Sequence, residues 1–263
     1  MLGAAIVRTK SASLASSSTP SAIPDLVPQT VVSYRRESDG HENSLKLGDV
    51  TSAALAGAAP WRTFRWVKGQ KHYSGTYWSA TEAGHVIYES RLELARLLYA
   101  DFDPGVNRIV AQPFLLSTEI NGQVRRHIPD FLLISDTGAV VVDVKPRHRL
   151  AHPKVSSTFA WTRAVVNARG WRYEVASEPP VIELANIRFL AGYRRPHLVD
   201  DALVRRVRAA GIDGATLAEA MKQLGGPAAQ ARATILHLVW TQEFIVDTSQ
   251  PLTSRTLLRR RTA

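Results

Sequence analysis

Apolar positions fall at helical spacing most clearly in HVIYESRLELARLLYADF, where Tyr88, Leu92, Ala95 and Tyr99 share one face and Leu94, Leu97 and Leu98 widen it. The following Asp103-Pro104-Gly105 stops the run, so a helix is predicted. VNRIVAQPFLLSTEI then reads as a strand interrupted by Pro113, and Asn121-Gly122 makes a hairpin turn into QVRRHI. DFLLIS is the next strand. Asp136-Thr137-Gly138 turns the chain into AVVVDVK, whose unbroken Val run predicts a strand covered on both faces. HPKVSSTFAWTRAVVNARG predicts a helix closed by Gly170, and RYEVAS a last strand before Pro179-Pro180. Helix, three strands, helix, strand is the order of an α/β core.

The flanks differ. Residues 1–59 open on a Ser/Thr/Pro/Ala-rich stretch and continue through polar segments such as RRESDGHENS, a composition that predicts a flexible arm. From Trp61, WRTFRWV, KGQ and HYSGTYWS predict a hairpin leading into the core domain, which extends over residues 60–195 with 181–195 as a helical connector. Residues 196–263 form a separate small unit of three helices and a β-like tail, the order of a winged helix.

Composition narrows the partners. Thirty-three Lys and Arg against 23 Asp and Glu leave a net charge of +10, a field that attracts polyanions and points to nucleic acid. With no Cys, a disulfide framework, thiol catalysis and a Cys-ligated zinc site are excluded. No apolar run reaches the roughly 18 to 20 residues of a membrane span. The first 20 residues carry Ser, Arg and Lys without acids, like a transit peptide, but their apolar stretch is short and precedes the charge. A plain tail and a cytoplasmic location, at the nucleoid when bound to DNA, are expected.

A candidate centre lies in IPDFLLISDTGAVVVDVKP. Phosphodiester cleavage needs an activated water, neutralisation of charge at phosphorus and help for the leaving oxygen, and one or two Mg²⁺ ions on hard oxygen ligands supply all three. Antiparallel pairing of the two strands brings Asp130 to the end where Asp143 and Lys145 lie. Asp143 and Lys145 are two positions apart and share a face, while Val144 turns inward and offers its backbone carbonyl. Asp130 and Asp143 are then ligands, and Lys145 orients or deprotonates the water. Each residue alone also fits a turn or a solvated strand end, but a carboxylate within AVVVDV is costly unless something pairs with it. Glu89 and Glu93 share a helical face, and the residues alone do not choose between them or exclude ordinary ion pairs with Arg91 or Arg96. Arg147, His148, Arg149, His152 and Lys154 crowd the loop after Lys145, where a DNA backbone would pass; a solvated basic loop is the plain alternative. His127 reads as a strand or turn residue rather than a metal ligand.

YESRLELARLLYADFDPGVNRIVAQPFLL, IPDFLLI and VVVDVKP together resemble the catalytic core of TnsA-like transposase endonucleases: a helix with S-x-L-E-L, a Q-P element, a D-F-L strand and an x-V-K-P strand in that order. The resemblance implies a restriction-endonuclease-like PD-(D/E)xK fold with an αβββαβ core, dependence on Mg²⁺ or Mn²⁺, and cutting of one strand at transposon ends opposite the strand cut by a partner. It assigns the site glutamate to Glu93, with Glu89 second, and Gln112 to the Q-P element. The implied partners are DNA, a DDE-type, TnsB-like transposase and a TnsC-like ATPase regulator. The carboxylate at the position of Asp143 is not universal among TnsA-like proteins.

The third helix of the C-terminal unit carries Arg232 as its only Lys or Arg, so it is a poor base reader. DNA binding and protein docking both stay open for this unit. A stand-alone restriction or repair nuclease and a non-catalytic winged-helix adaptor are the alternatives to the transposase reading.

Overall fold

A computed structural model describes residues 26–62 and 73–262. Strand β1 (Val31–Arg36) pairs antiparallel with β2 (Glu42–Lys46), a short helix α1 (Ser52–Ala56) follows, and β3 (Ala58–Ala59) returns to β1. The flexible arm expected over 1–59 is therefore corrected from residue 26 onward. Val32, Leu47, Val50 and Leu55 are fully buried there, each separated by enough polar residues to hide the pattern from a reading of composition.

Of the hairpin expected from Trp61, residues 63–72 lie outside the described residues. HYSGTYWS does contribute a strand, β4 (Gly75–Ser79), but it pairs with β5 (Gly84–Tyr88). The stretch from His85 to Tyr88, expected as the first turn of a helix, is thus strand. Val86 and Tyr88 are buried while His85 is exposed, a period of two that the neighbouring helical period masks. Helix α2 (Arg91–Phe102) begins after Ser90, whose Oγ accepts the Glu93 N–H at 3.1 Å and caps it. Near its far end, Asp101 is buried and accepts hydrogen bonds from Tyr77 Oη (2.7 Å), Ser79 Oγ (2.6 Å) and the N–H groups of Ala80 and Thr81, locking the β4–β5 hairpin to the helix.

The single interrupted strand expected next is two strands in two sheets, β6 (Val106–Ala111) and β7 (Leu115–Ile120). Between them Gln112 has a φ of +45°, and Pro113 offers no N–H, so no ladder continues through the pair. Asn121 and Gly122, at φ +52° and +72°, turn β7 into β8 (Gln123–His127). Strands β9 (Phe131–Ser135) and β10 (Gly138–Val144) pair antiparallel; helix α3 (Pro153–Ala168) crosses back, and β11 (Arg172–Ala176) lies parallel to β10. The central sheet runs β11-β10-β9-β6 and the second β2-β1-β7-β8, with β3 on β1.

The Val run of β10 is covered on both faces. Ala139 and Val141 pack with Val32 and Leu116 of the second sheet and with Trp161, Val165 and Val166 of α3. Val142 and Val144 face α2 and a cluster that continues through helices α4 (Val181–Leu190), α5 (Asp201–Ala209), α6 (Leu217–Leu224) and α7 (Ala228–Trp240). A two-residue pairing of β12 (Phe244–Ile245) with β13 (Arg259–Arg260) follows α7. The C-terminal helices share this core, with the Phe102 and Trp240 rings 5.2 Å apart. The chain is a mixed α/β protein with seven α-helices among the described residues, none long and apolar enough to cross a membrane.

Candidate active site

Phe131 stands opposite Val142 in the β9–β10 ladder, so Asp130 and Asp143 meet at one end of the central sheet. The Val144 N–H donates to Asp130 Oδ2 at 2.6 Å, tying the carboxylate to the neighbouring strand. The Asp130 carboxyl is held well above the usual carboxylate range, first by burial and then by the charges of Glu93 and Asp143; the Val144 N–H and the Lys145 ammonium oppose this. Glu93 is pushed up as well, by burial and then by the charge of Glu89, against donors from Glu89 and Ser90 and the charge of Lys145. Glu93, Asp143 and Lys145 thus each act on Asp130, although separate elements carry them.

Each carboxylate is engaged by the protein. Glu93 Oε2 accepts from the Glu89 N–H at 2.7 Å and Oε1 from Ser90 Oγ at 2.9 Å. Asp143, only 2% exposed, has both oxygens 2.8 Å from His127 Nε2, and Tyr173 Oη donates to its Oδ2. His127 is wedged edge-on against Phe159 and Trp161, each 6.2 Å between centroids. Burial, then the charge of Asp143, raises the Tyr173 phenol far above its ordinary value. Sequence reasoning gave His127 only its strand position and missed Tyr173. The missing signal was the parallel register that sets Tyr173 beside Val141, two residues before Asp143 and on its face.

Glu89 is engaged by a second set of partners. Its Oε1 accepts from Gln112 Nε2 at 2.7 Å, and Arg62 approaches at 4.0 Å. Arg96, one expected partner for it, instead forks onto Glu174 at 2.7 and 2.8 Å. Gln112 does more than hold a strand edge: its N–H donates to the Asp130 carbonyl (2.8 Å), its carbonyl accepts from Trp61 (2.9 Å), and its Oε1 accepts from the Arg62 N–H (3.1 Å). Arg147, His148 and Arg149 form one exposed 3-10 turn directly after the β10 end, and Lys154 is exposed at the start of α3.

Three carboxylates and the Val144 carbonyl are hard oxygen donors, and a divalent cation would offset both the burial and the neighbouring charges that raise Asp130, so the residues fit such an ion in kind and in charge. Among the described residues no three His, Asp or Glu side chains are grouped closely enough to share one.

A mixed α/β fold with paired acids and a lysine at one end of its central sheet is consistent with the architecture of an α/β nuclease. Residues 103–178 match the family model described as TnsA-like endonuclease N terminal, a match that supports a TnsA-like endonuclease assignment. The matched stretch holds Asp130, Asp143 and Lys145, while Glu93 precedes it. No curated protein matches the chain.

Proposed function

We propose that this chain is a metal-dependent DNA endonuclease that cuts one strand at transposon ends as one subunit of a heteromeric transposase. The observation that carries the reading is the register that brings Asp130 and Asp143 to one end of the central sheet, with the Val144 N–H bound to Asp130, within a segment that matches a TnsA-like endonuclease. Glu93, Asp130, Asp143 and the Val144 carbonyl would hold Mg²⁺ or Mn²⁺, which when bound supplies charge neutralisation at the scissile phosphate and an acidified water. Lys145 offsets carboxylate charge in the free protein and is placed to balance phosphate charge or orient the attacking water. Arg147, His148, Arg149 and Lys154 form the surface along which the DNA backbone leaves the centre.

The C-terminal helices and the β12–β13 pairing form a winged-helix-like unit. In α7, residues from Thr234 to Trp240 are all buried and Arg232 lies against Phe189. A unit that commits its third helix to packing leaves target choice to partners: a TnsB-like DDE transposase for the other strand and a TnsC-like ATPase regulator. The deciding experiment is a nicking assay on labelled transposon-end duplex with Mg²⁺ or Mn²⁺, with and without the partner transposase. Partner-dependent cutting of one strand, lost in Asp130→Ala, is expected. Cutting that persists in Asp130→Ala refutes the site, and efficient sequence-specific cutting by the chain alone refutes the transposase role.

A further inference from the structure

Asp143 can offer a cation only part of its carboxylate. A carboxylate accepts on the edge between its two oxygens, where an ion is chelated, and on the outer side of each oxygen. His127 Nε2 is 2.8 Å from both Oδ1 and Oδ2, so it occupies the approach that a chelated ion would use. Tyr173 Oη donates to Oδ2. Oδ1 has no partner besides His127 among the described residues, which leaves its outer side as the position not already taken.

Packing fixes this arrangement. His127 closes β8 opposite the fully buried Leu116, and its ring is edge-on to both Phe159 and Trp161 of α3. Phe159 also meets the Tyr173 ring edge-on, 6.4 Å between centroids, and the Arg163 guanidinium covers that ring at 5.4 Å. One buried aromatic side chain thus braces both groups that hold Asp143, and withdrawing either would disturb that packing.

A carboxylate restricted to one oxygen discriminates between divalent ions. Mg²⁺ and Mn²⁺ favour octahedral oxygen sites, and the bite of a chelating carboxylate is too narrow to span two corners of so small an octahedron. Ca²⁺ is larger, takes about six to eight oxygens in flexible geometry and readily accepts both oxygens of one carboxylate. Filling the chelating edge therefore costs Ca²⁺ a ligand that the smaller ions do not use.

We propose that His127 is a positioning residue that restricts Asp143 to one available oxygen, Oδ1, and so sets a preference for a small octahedral divalent ion over Ca²⁺. The proposal rests on the metal-dependent reading above and adds to it the ion that the site disfavours.

The test is calorimetric titration of the full chain, without DNA, by Mn²⁺ and by Ca²⁺. His127→Ala and His127→Leu both clear the chelating edge, the second with less loss of packing, whereas His127→Gln puts a polar side-chain end back on it. Tyr173→Phe frees only the outer side of Oδ2. The ratio of the Ca²⁺ Kd to the Mn²⁺ Kd should exceed one in wild type and fall by about 10–100-fold in His127→Ala and His127→Leu, the range typical of partners that orient a metal ligand. It should stay near wild type in His127→Gln and Tyr173→Phe, with thermal melts reporting that each protein is folded. An unchanged ratio in the folded Ala or Leu variant, whatever its loss of stability, overturns the positioning role and spares the metal site. An equal fall in Tyr173→Phe overturns it as a general loosening around Asp143, and so does wild type that binds Ca²⁺ as tightly as Mn²⁺. Wild-type protein that binds neither ion overturns both this proposal and the metal-dependent reading.

Discussion

His127 Nε2 lies 2.8 Å from each carboxylate oxygen of Asp143, joining the end of the second sheet to the centre of the first. With Tyr173 also donating, Asp143 is a packing element as well as a candidate ligand. Asp143→Ala would leave His127 Nε2 and Tyr173 Oη, two partly buried polar groups, without their partner at about 1–3 kcal/mol each. We expect it to lose about 2–4 kcal/mol of stability, each kcal/mol being roughly 2–4 °C in Tm at this chain length, together with nicking. Tyr173→Phe should lose about 1 kcal/mol. An Asp143→Ala melt that overlays wild type would show that the contacts do not stabilise the fold.

Asp130 predicts the opposite sign. Its folded carboxyl is raised above the ordinary value, so the protein gains from proton binding below the unfolded carboxylate range and loses that gain as pH rises through the folded value. Glu93 adds a contribution of the same sign. Metal-free Asp130→Asn should therefore melt above wild type at pH 7 and close to it near pH 4. Saturating Mn²⁺ should then raise wild type, by about 2.7 kcal/mol at a hundredfold excess over Kd, and leave the variant unmoved. A variant less stable than wild type at pH 7 in EDTA contradicts the cause assigned to the raised carboxyl.

At Gln112, backbone and side-chain effects separate. Its φ of +45° costs a non-glycine residue about 1–2 kcal/mol, yet its side chain bridges Glu89 and the Arg62 N–H. Gln112→Ala keeps the strain and loses both contacts, whereas Gln112→Gly loses the contacts and relieves the strain. Urea titration should find the Ala variant less stable than the Gly variant by about 1 kcal/mol. Equal midpoints would mean that the backbone there relaxes without cost.

The core elements were legible because period and punctuation agreed: the Val run of β10, the turns at Asn121-Gly122 and Asp136-Thr137-Gly138, and Gly170 at φ +85° behind α3. The antiparallel register of β9 and β10 also followed from the sequence, and with it the meeting of Asp130 and Asp143. Long-range partners were hidden. Nothing local tells that Pro113 sends β7 to another sheet, or that Tyr173 reaches Asp143 across a parallel crossover. Between His85 and Tyr88 two periods overlapped, and the longer helical one prevailed in the reading.

The segment read as a flexible arm leads to the strongest prediction. Leu47 and Val50 are fully buried, and Arg169 of the segment after α3 donates to their carbonyls at 2.9 and 2.7 Å. Strand β1 pairs with β7, so without it the β7–β8 hairpin that carries His127 would stand as two strands, which are marginal alone in water. Four fully buried side chains, Val32, Leu47, Val50 and Leu55, at roughly 1.5–3 kcal/mol each approach the whole stability of a domain, about 5–15 kcal/mol. A chain starting at residue 60 should therefore lose its cooperative thermal transition, and Leu47→Ala in the full chain should lower stability by about 2–5 kcal/mol. Because His127 reaches Asp143 from the second sheet, the shortened chain should also lose nicking. Calorimetry of both proteins decides it: a sharp transition at the wild-type Tm in the shortened chain would return residues 26–59 to the status of an arm.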